Sequence, residues 1–191
     1  TGFEQDGTLQ AVPHPHISNP VLTAAEVTDI TNPGTVADPF IRYDDGSGRW
    51  HMMLEVVDDD TGDGIICRAT SDDGLDWTYE ETVISESGVH FSFPYFFKSG
   101  DTWYMLPSQG ENEVRIYTAD SFPGSWSLDA TPLSGTNYGG DKVLVPWNDN
   151  WFLFVSTTGG SHDEVRLFYA DTITGSYTEH SSSPIHTTTY D

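Results

Sequence analysis

Cysteine is almost missing from this chain. Cys67 is the single thiol in 191 residues, so no intrachain disulfide can form. It falls in the strand-like run Gly64-Ile65-Ile66-Cys67-Arg68-Ala69, where a buried, inert thiol is expected. Positive charge is scarce too. Lys and Arg total 7 against 30 Asp and Glu, a formal charge of -23, and Lys98 and Lys142 supply the only ammonium groups. Direct binding to nucleic acid or to anionic lipid needs a basic face, so neither partner is expected. Long apolar runs are lacking. The longest aromatic-aliphatic block, Trp151 to Val155, is far shorter than the roughly 20 residues of a spanning helix, so no membrane insertion is expected. No stretch carries a sustained helical period, which makes the class all-β.

Metal and cofactor signals are also weak. His14-Pro15-His16 places two imidazoles beside prolines without a ligand set, and reads as surface histidine. Asp58-Asp59-Asp60-Thr61-Gly62-Asp63-Gly64 looks like a calcium loop but lacks the acid at its twelfth position. An acidic, solvated hairpin is the better reading. No metal and no cofactor is implied. Ser, His and Asp occur, but without a nucleophile-elbow glycine motif. The chain opens on Thr1 with no signal-peptide pattern, which leaves a removed export signal open.

What is present is aromatic and repetitive. Aromatic residues make up 13% of the chain, which suits sheet packing or the stacking of sugar rings. Acid excess with almost no lysine fits a protein of very high salt, where the screening length falls to about 3 Å at 1 M. The expected setting is the exterior or cell surface of a halophile, with the cytoplasm left open.

Residues 1–20 read as an irregular N-terminal arm, and residues 21–191 as one domain. Val21 to Ile30 fits either a strand or a short helical turn, and Asn32-Pro33-Gly34 marks a turn. A repeat then begins. First strands start near Asp38, Phe93 and Asp141. Second strands run through Trp50, Trp103 and Trp151, and third strands through Arg68, Arg115 and Arg166. Trp77, Trp126 and Tyr177 close the units after Gly- and Asp-bearing turns. Four short strands per roughly 40–50 residues is the signature of propeller blades, here about 36–84, 91–130 and 138–180. Propellers close with about 4 to 8 blades, so either the natural protein is longer, or an oligomer or additional chain completes the ring. Open strand edges invite such pairing.

The strand mouths carry the candidate chemistry. Pro39 follows Asp38, and proline is tolerated at the start of a strand, so Asp38 stands where a carboxylate faces a cleft. Asp38 and Asp141 are the candidate catalytic pair, since inverting glycoside hydrolysis needs two carboxyls about 6.5–9.5 Å apart. His90, Phe93, Tyr95 and Trp147 are candidate substrate-binding residues that stack on a sugar. Arg115 anchors an anionic group or pairs with a carboxylate. The structural alternatives stand beside these: Asp38 bonding strand-end amides, Asp141 as a turn residue, and the aromatic rings as core. Glu55, Glu113 and Glu164 recur near strand ends, which favours a structural role in pairing with Arg68, Arg115 or Arg166.

Ala37-Asp38-Pro39, the aromatic second strands and the Ser71-Asp72-Asp73-Gly74-Leu75-Asp76-Trp77 turn together resemble the arabinanase-type five-bladed propellers of glycoside hydrolase family 43. Phe93-Pro94-Tyr95-Phe96, Tyr104-Met105-Leu106-Pro107, Glu113-Val114-Arg115-Ile116-Tyr117 and Leu167-Phe168-Tyr169-Ala170 resemble one branch more closely. That branch is the propeller domain of plant glucosamine inositolphosphorylceramide transferases. The resemblance implies a general base at Asp38 and a general acid near Asp141, which is one methylene shorter than the family's glutamate. Where the family has a tuning aspartate, this chain has Phe93. The implied function is carbohydrate recognition on a glycosidase-related propeller. The alternatives are an active glycosidase using Asp38 and Asp141, or a surface assembly protein of a halophile.

Overall fold

The computed structural model describes residues 18–110, 112–122, 124–135, 137–157 and 162–189. His14 and His16 lie outside the described residues. Three antiparallel sheets follow one another along the chain. The first holds β1 (Pro33–Asp44), β2 (Arg49–Asp58), β3 (Gly64–Ser71) and β4 (Thr78–Ile84). The second holds β5 (Phe91–Ser99), β6 (Thr102–Gln109), β7 (Glu113–Ala119) and β8 (Ser127–Ser134). The third holds β9 (Lys142–Trp147), β10 (Asn150–Thr157), β11 (His162–Ala170) and β12 (Thr178–Glu179), and β13 (His186–Thr189) also pairs with β11. Within each sheet the strands pair in chain order, the up-and-down meander of a propeller blade. Thr78, Ser127 and Thr178 begin the fourth strands directly after Trp77, Trp126 and Tyr177.

Alternation along the second strands builds the packing. On β2, Met52, Leu54 and Val56 face one core, which the segment bearing Leu22, Val27 and Ile30 covers. Met53, between them, faces the core shared with the second sheet, among Ile66, Phe91, Phe96, Trp103 and Met105. On β6, Trp103 and Met105 face that core, while Leu106 turns to the next one with Val114, Ile116, Leu144, Leu153 and Val155. Period-two patterning thus sandwiches the middle sheet between two apolar layers. Cys67 is fully buried in the first layer, and burial pushes its thiol up to about 11.

Local chemistry explains the joints. The Val21 to Ile30 stretch holds a short 3-10 turn, Ala24–Glu26, capped reciprocally by Thr23 and Glu26. In the closing turn of the first blade, Ser71 Oγ accepts from the Gly74 amide at 2.8 Å, and Asp73 Oδ1 accepts from Leu75 and Asp76 at 2.9 and 3.0 Å. At the β9–β10 hairpin, Asn148 and Asp149 both take left-handed φ values, 48° and 61°, as a type I′ turn requires.

Candidate functional site

The site lies beside bulges within β1 and β5 and at the start of β9, so the sequence expectation that Asp38 opens a strand is corrected. Pairing of β1 with β2 skips between Ala37 and Phe40, and pairing of β5 with β6 skips between Ser92 and Tyr95. Asp38-Pro39 and Phe93-Pro94 fill these bulges, with Asp38 at φ 50° and Phe93 at φ 45°. Left-handed backbone is unfavourable for such residues and is held by its surroundings. The proline after each lacks an amide hydrogen, so a ladder bond is given up there in any case. The bulges turn both residues out of the ladder, and Phe93 N–H donates to Asp38 Oδ2 at 3.1 Å across the blade boundary. Phe40 packs edge-on against Phe93, centroids 4.7 Å apart.

The third blade has no such bulge. Lys142 pairs with Val155 in regular register, and Ser156 N–H donates to Asp141 O at 2.8 Å. Glu55, Ser108 and Ser156 occupy corresponding places after Trp50, Trp103 and Trp151. Asp141 therefore stands as Ala37 and Ser92 do, and Lys142 takes the place of Asp38 and Phe93. The Lys142 side chain is fully buried. Its ammonium faces Gly140 O at 2.7 Å, Pro107 O and Gly139 O at 3.2 Å, and Gln109 Oε1 at 3.4 Å. Burial lowers its pKa to about 7, against the pull of Asp141. The oxygen ring opposes that shift, because it satisfies every ammonium proton.

Asp141 is thereby fixed at the rim of a cavity of about 270 Å³. Its Oδ1 accepts from Ser108 Oγ at 3.0 Å. His90, Ser92, Gln109, Asn112 and Asn137 share the lining. The lining offers hydroxyl, amide, imidazole and carboxylate groups, the complement of a hydroxyl-rich ligand.

His90 links this cavity to Asp38 through a residue that sequence reasoning assigned to structure. His90 Nε2 lies 2.9 Å from Glu55 Oε1, and its Nδ1 lies 3.0 Å from Gly62 O. A carbonyl only accepts, so Nδ1 carries a proton. Glu55 is buried, and desolvation raises its pKa. The charge of His90 opposes that shift, while the like charge of Asp38 and a hydrogen bond to it add to it. Its sequence signal was a lone acid inside Met52-Met53-Leu54-Glu55-Val56-Val57. Glu113 and Glu164, grouped with it in sequence, behave differently. They pair with Arg115 at 2.5 Å and with Arg166 at 3.1 Å.

The other candidates are distributed as follows. Tyr95 donates from its hydroxyl to Leu144 O at 2.9 Å and packs against the core between the second and third sheets. Arg115 pairs with Glu86 at 2.8 Å as well as with Glu113, and lies over the Phe91 ring. Trp147 is 67% exposed at the far end of β9, roughly 20 Å of extended strand from Asp141. The structure puts His90 and Asp141 on one cavity, places Asp38 and Phe93 beside it across Glu55 rather than in its lining, and places Trp147 elsewhere. The acidic turn is tied down by Asp58 and Asp63 and presents Gly62 O to His90. Among the described residues no group of three or more His, Cys, Asp or Glu is placed to hold a metal ion, and no helix is long and apolar enough to cross a membrane.

Comparison with known proteins gives the relationships. Glucosamine inositolphosphorylceramide transferase 1 of Oryza sativa subsp. japonica is 30% identical over 176 residues, covering 89% of this chain and 23% of that protein. The Arabidopsis thaliana protein of the same name is 28% identical over 177 residues, covering 89% and 22%. The chain thus spans about a quarter of the length of these relatives. Among solved structures, a family 117 glycoside hydrolase of Zobellia galactanivorans superposes with a TM-score of 0.64 at 15% identity, over 86% of this chain and 61% of that one. An arabinanase of Bacillus subtilis superposes at 0.62 and 17%, over 85% and 62%. These likenesses show the fold, a β-propeller of which the described residues form three blades. The family described as "Glucosamine inositolphosphorylceramide transferase 1, N-terminal" matches residues 5–191, and the chain belongs to it.

Proposed function

We propose that this chain recognises carbohydrate at the mouth formed by the bulges of β1 and β5 and the start of β9. The observation that carries the reading is the polar cavity of about 270 Å³ that holds His90 and Asp141 and adjoins Asp38 through Glu55. Hydrogen-bonding groups of both kinds converge there, as a sugar requires. Two neighbours of the same fold were solved with oligosaccharides, an exo-beta-1,3-galactanase with beta-1,3-galactotriose and an alpha-L-arabinofuranosidase with cellotriose. The relatives carry the name glucosamine inositolphosphorylceramide transferase 1, and a name containing a sugar is consistent with a sugar-bearing ligand. Phe93 presents a ring beside Asp38, and His90 a half-exposed imidazole.

A second reading is supported by the anchoring of two carboxylates. Asp38 is held by the Phe93 amide and Asp141 by Ser108 Oγ, from opposite sides of the start of β5. In an active glycosidase Asp38 serves as general base and Asp141 as acid. The excess of acidic residues supports a high-salt setting at the cell exterior. A glycan array and a panel of chromogenic glycosides in multimolar salt test these together. Carbohydrate recognition predicts binding that Asp141→Ala weakens at least tenfold. Turnover abolished by Asp38→Asn selects the glycosidase. No glycan bound, with a salt-dependent oligomer, selects a structural role.

A further inference from the structure

We propose that Glu55 and His90 share one proton beside Asp38, so that Glu55 is the positioning residue between Asp38 and the cavity and His90 is its link to the cavity. This rests on the reading of the mouth as the ligand site, but its physical content is independent of any ligand. Glu55 is paired with Ala37 on the neighbouring strand, so its side chain emerges beside Asp38. The equivalent places in the other blades hold Ser108 and Ser156, which carry no titrating charge.

The proton count follows from the contacts. His90 Nδ1–H is committed to Gly62 O. At 2.9 Å, one proton lies between Nε2 and Glu55 Oε1. Either an imidazolium donates to the Glu55 carboxylate, or a neutral imidazole accepts from the Glu55 carboxyl. Protonated Glu55 is a donor to the Asp38 carboxylate, and Asp38 keeps the Phe93 amide as its second donor. Moving that one proton from Nε2 to Oε1 neutralises both groups, so Asp38 then has an uncharged carboxyl beside it. The same step in reverse empties Glu55 and places a second carboxylate beside Asp38.

Other charges face the unit without joining it. Asp63 caps the Gly88 amide at 3.0 Å, from the turn that also offers Gly62 O. Glu86, on the His90 loop, is neutralised by Arg115 from β7. Across the cavity, Asp141 is bonded to Ser108. Lys142, of β9, is enclosed by its oxygens. Glu55 therefore answers to Asp38 and His90 above all.

The test is a pH titration of the Glu55 carboxyl carbon by NMR in labelled protein, assigned by its loss in Glu55→Gln. In the unaltered protein Glu55 is expected to titrate above the exposed carboxyls. Asp38→Asn should lower its midpoint by about one pH unit, and His90→Gln should raise it by about one unit. Both substitutions are mild: asparagine tolerates left-handed backbone, and His90 is half exposed. A Glu55 that titrates with the exposed carboxyls, or moves less than about 0.3 unit in both variants, overturns the proposal. Carbohydrate binding is scored separately on the array, so a silent array with the predicted shifts overturns the ligand reading and leaves the unit standing.

Discussion

At the scale of single residues, the mouth is a set of groups held in unfavourable states by their neighbours. Asp38 keeps a left-handed backbone, Glu55 a buried carboxyl and Lys142 a buried ammonium. Asp38→Val should cost about 1–3 kcal/mol more than Asp38→Asn, because a β-branched residue resists that φ; denaturant midpoints of the two variants check this. Lys142 gives a pH signature. Its folded pKa, about 7, lies below its unfolded value, so between pH 7 and 10.5 the unfolded chain binds the extra proton. Stability attributable to Lys142 is complete above that window and is lost as pH falls toward 7. Lys142→Met should flatten the slope, while leaving Pro107, Gly139 and Gly140 carbonyls without their donor. His51, fully buried with its Nδ1 unpartnered, behaves similarly at lower pH. Burial above all, with the charge of Arg68, lowers its pKa to about 4, so stability falls as pH drops from 6.5 toward 4. His51→Leu should remove that acid-side loss in thermal scans.

At the scale of elements, strand register decides which side chain faces the mouth. Proline after Asp38 suggested a strand start, but β1 already begins at Pro33, and the missing amide is absorbed by a bulge within the strand. The regular register at Lys142 was not legible, since nothing in Gly139-Gly140-Asp141-Lys142 announces that the lysine turns inward to carbonyls. Glu55 was hidden in a different way. It shares its residue type with Glu113 and Glu164, yet those begin third strands beside arginines while Glu55 lies within a second strand. The loop before β9 offers a direct check. A Cβ on Gly140 would lie 2.1 Å from Ser156 O, so Gly140→Ala must displace the backbone that seats Asp141. A loss of about 1–3 kcal/mol is expected, with weaker glycan binding, from denaturation and array data on the same variant.

At the scale of the whole molecule, tryptophan spacing and period-two alternation made the blades readable, because each second strand must serve two cores at once. The approach of Tyr95 to Leu144 and of Ser108 to Asp141 depended on how blades stack, which no local pattern encodes. Charge acts globally as well. With a formal charge of -23, self-repulsion opposes the compact state, and screening shortens from about 10 Å at 0.1 M to about 3 Å at 1 M salt. The melting temperature should rise steadily from 0.1 to 2 M KCl; a flat profile would remove the high-salt reading.

The site itself is tested most directly by mapping amide shift changes while a glycan selected on the array is added in high salt. Changes centred on His90, Ser92, Ser108, Gln109, Asn112 and Asp141, with Trp147 unmoved, are the predicted result. Changes centred on Trp147 or on the outer strands, with those residues silent, would contradict a ligand site at the converging strand mouths.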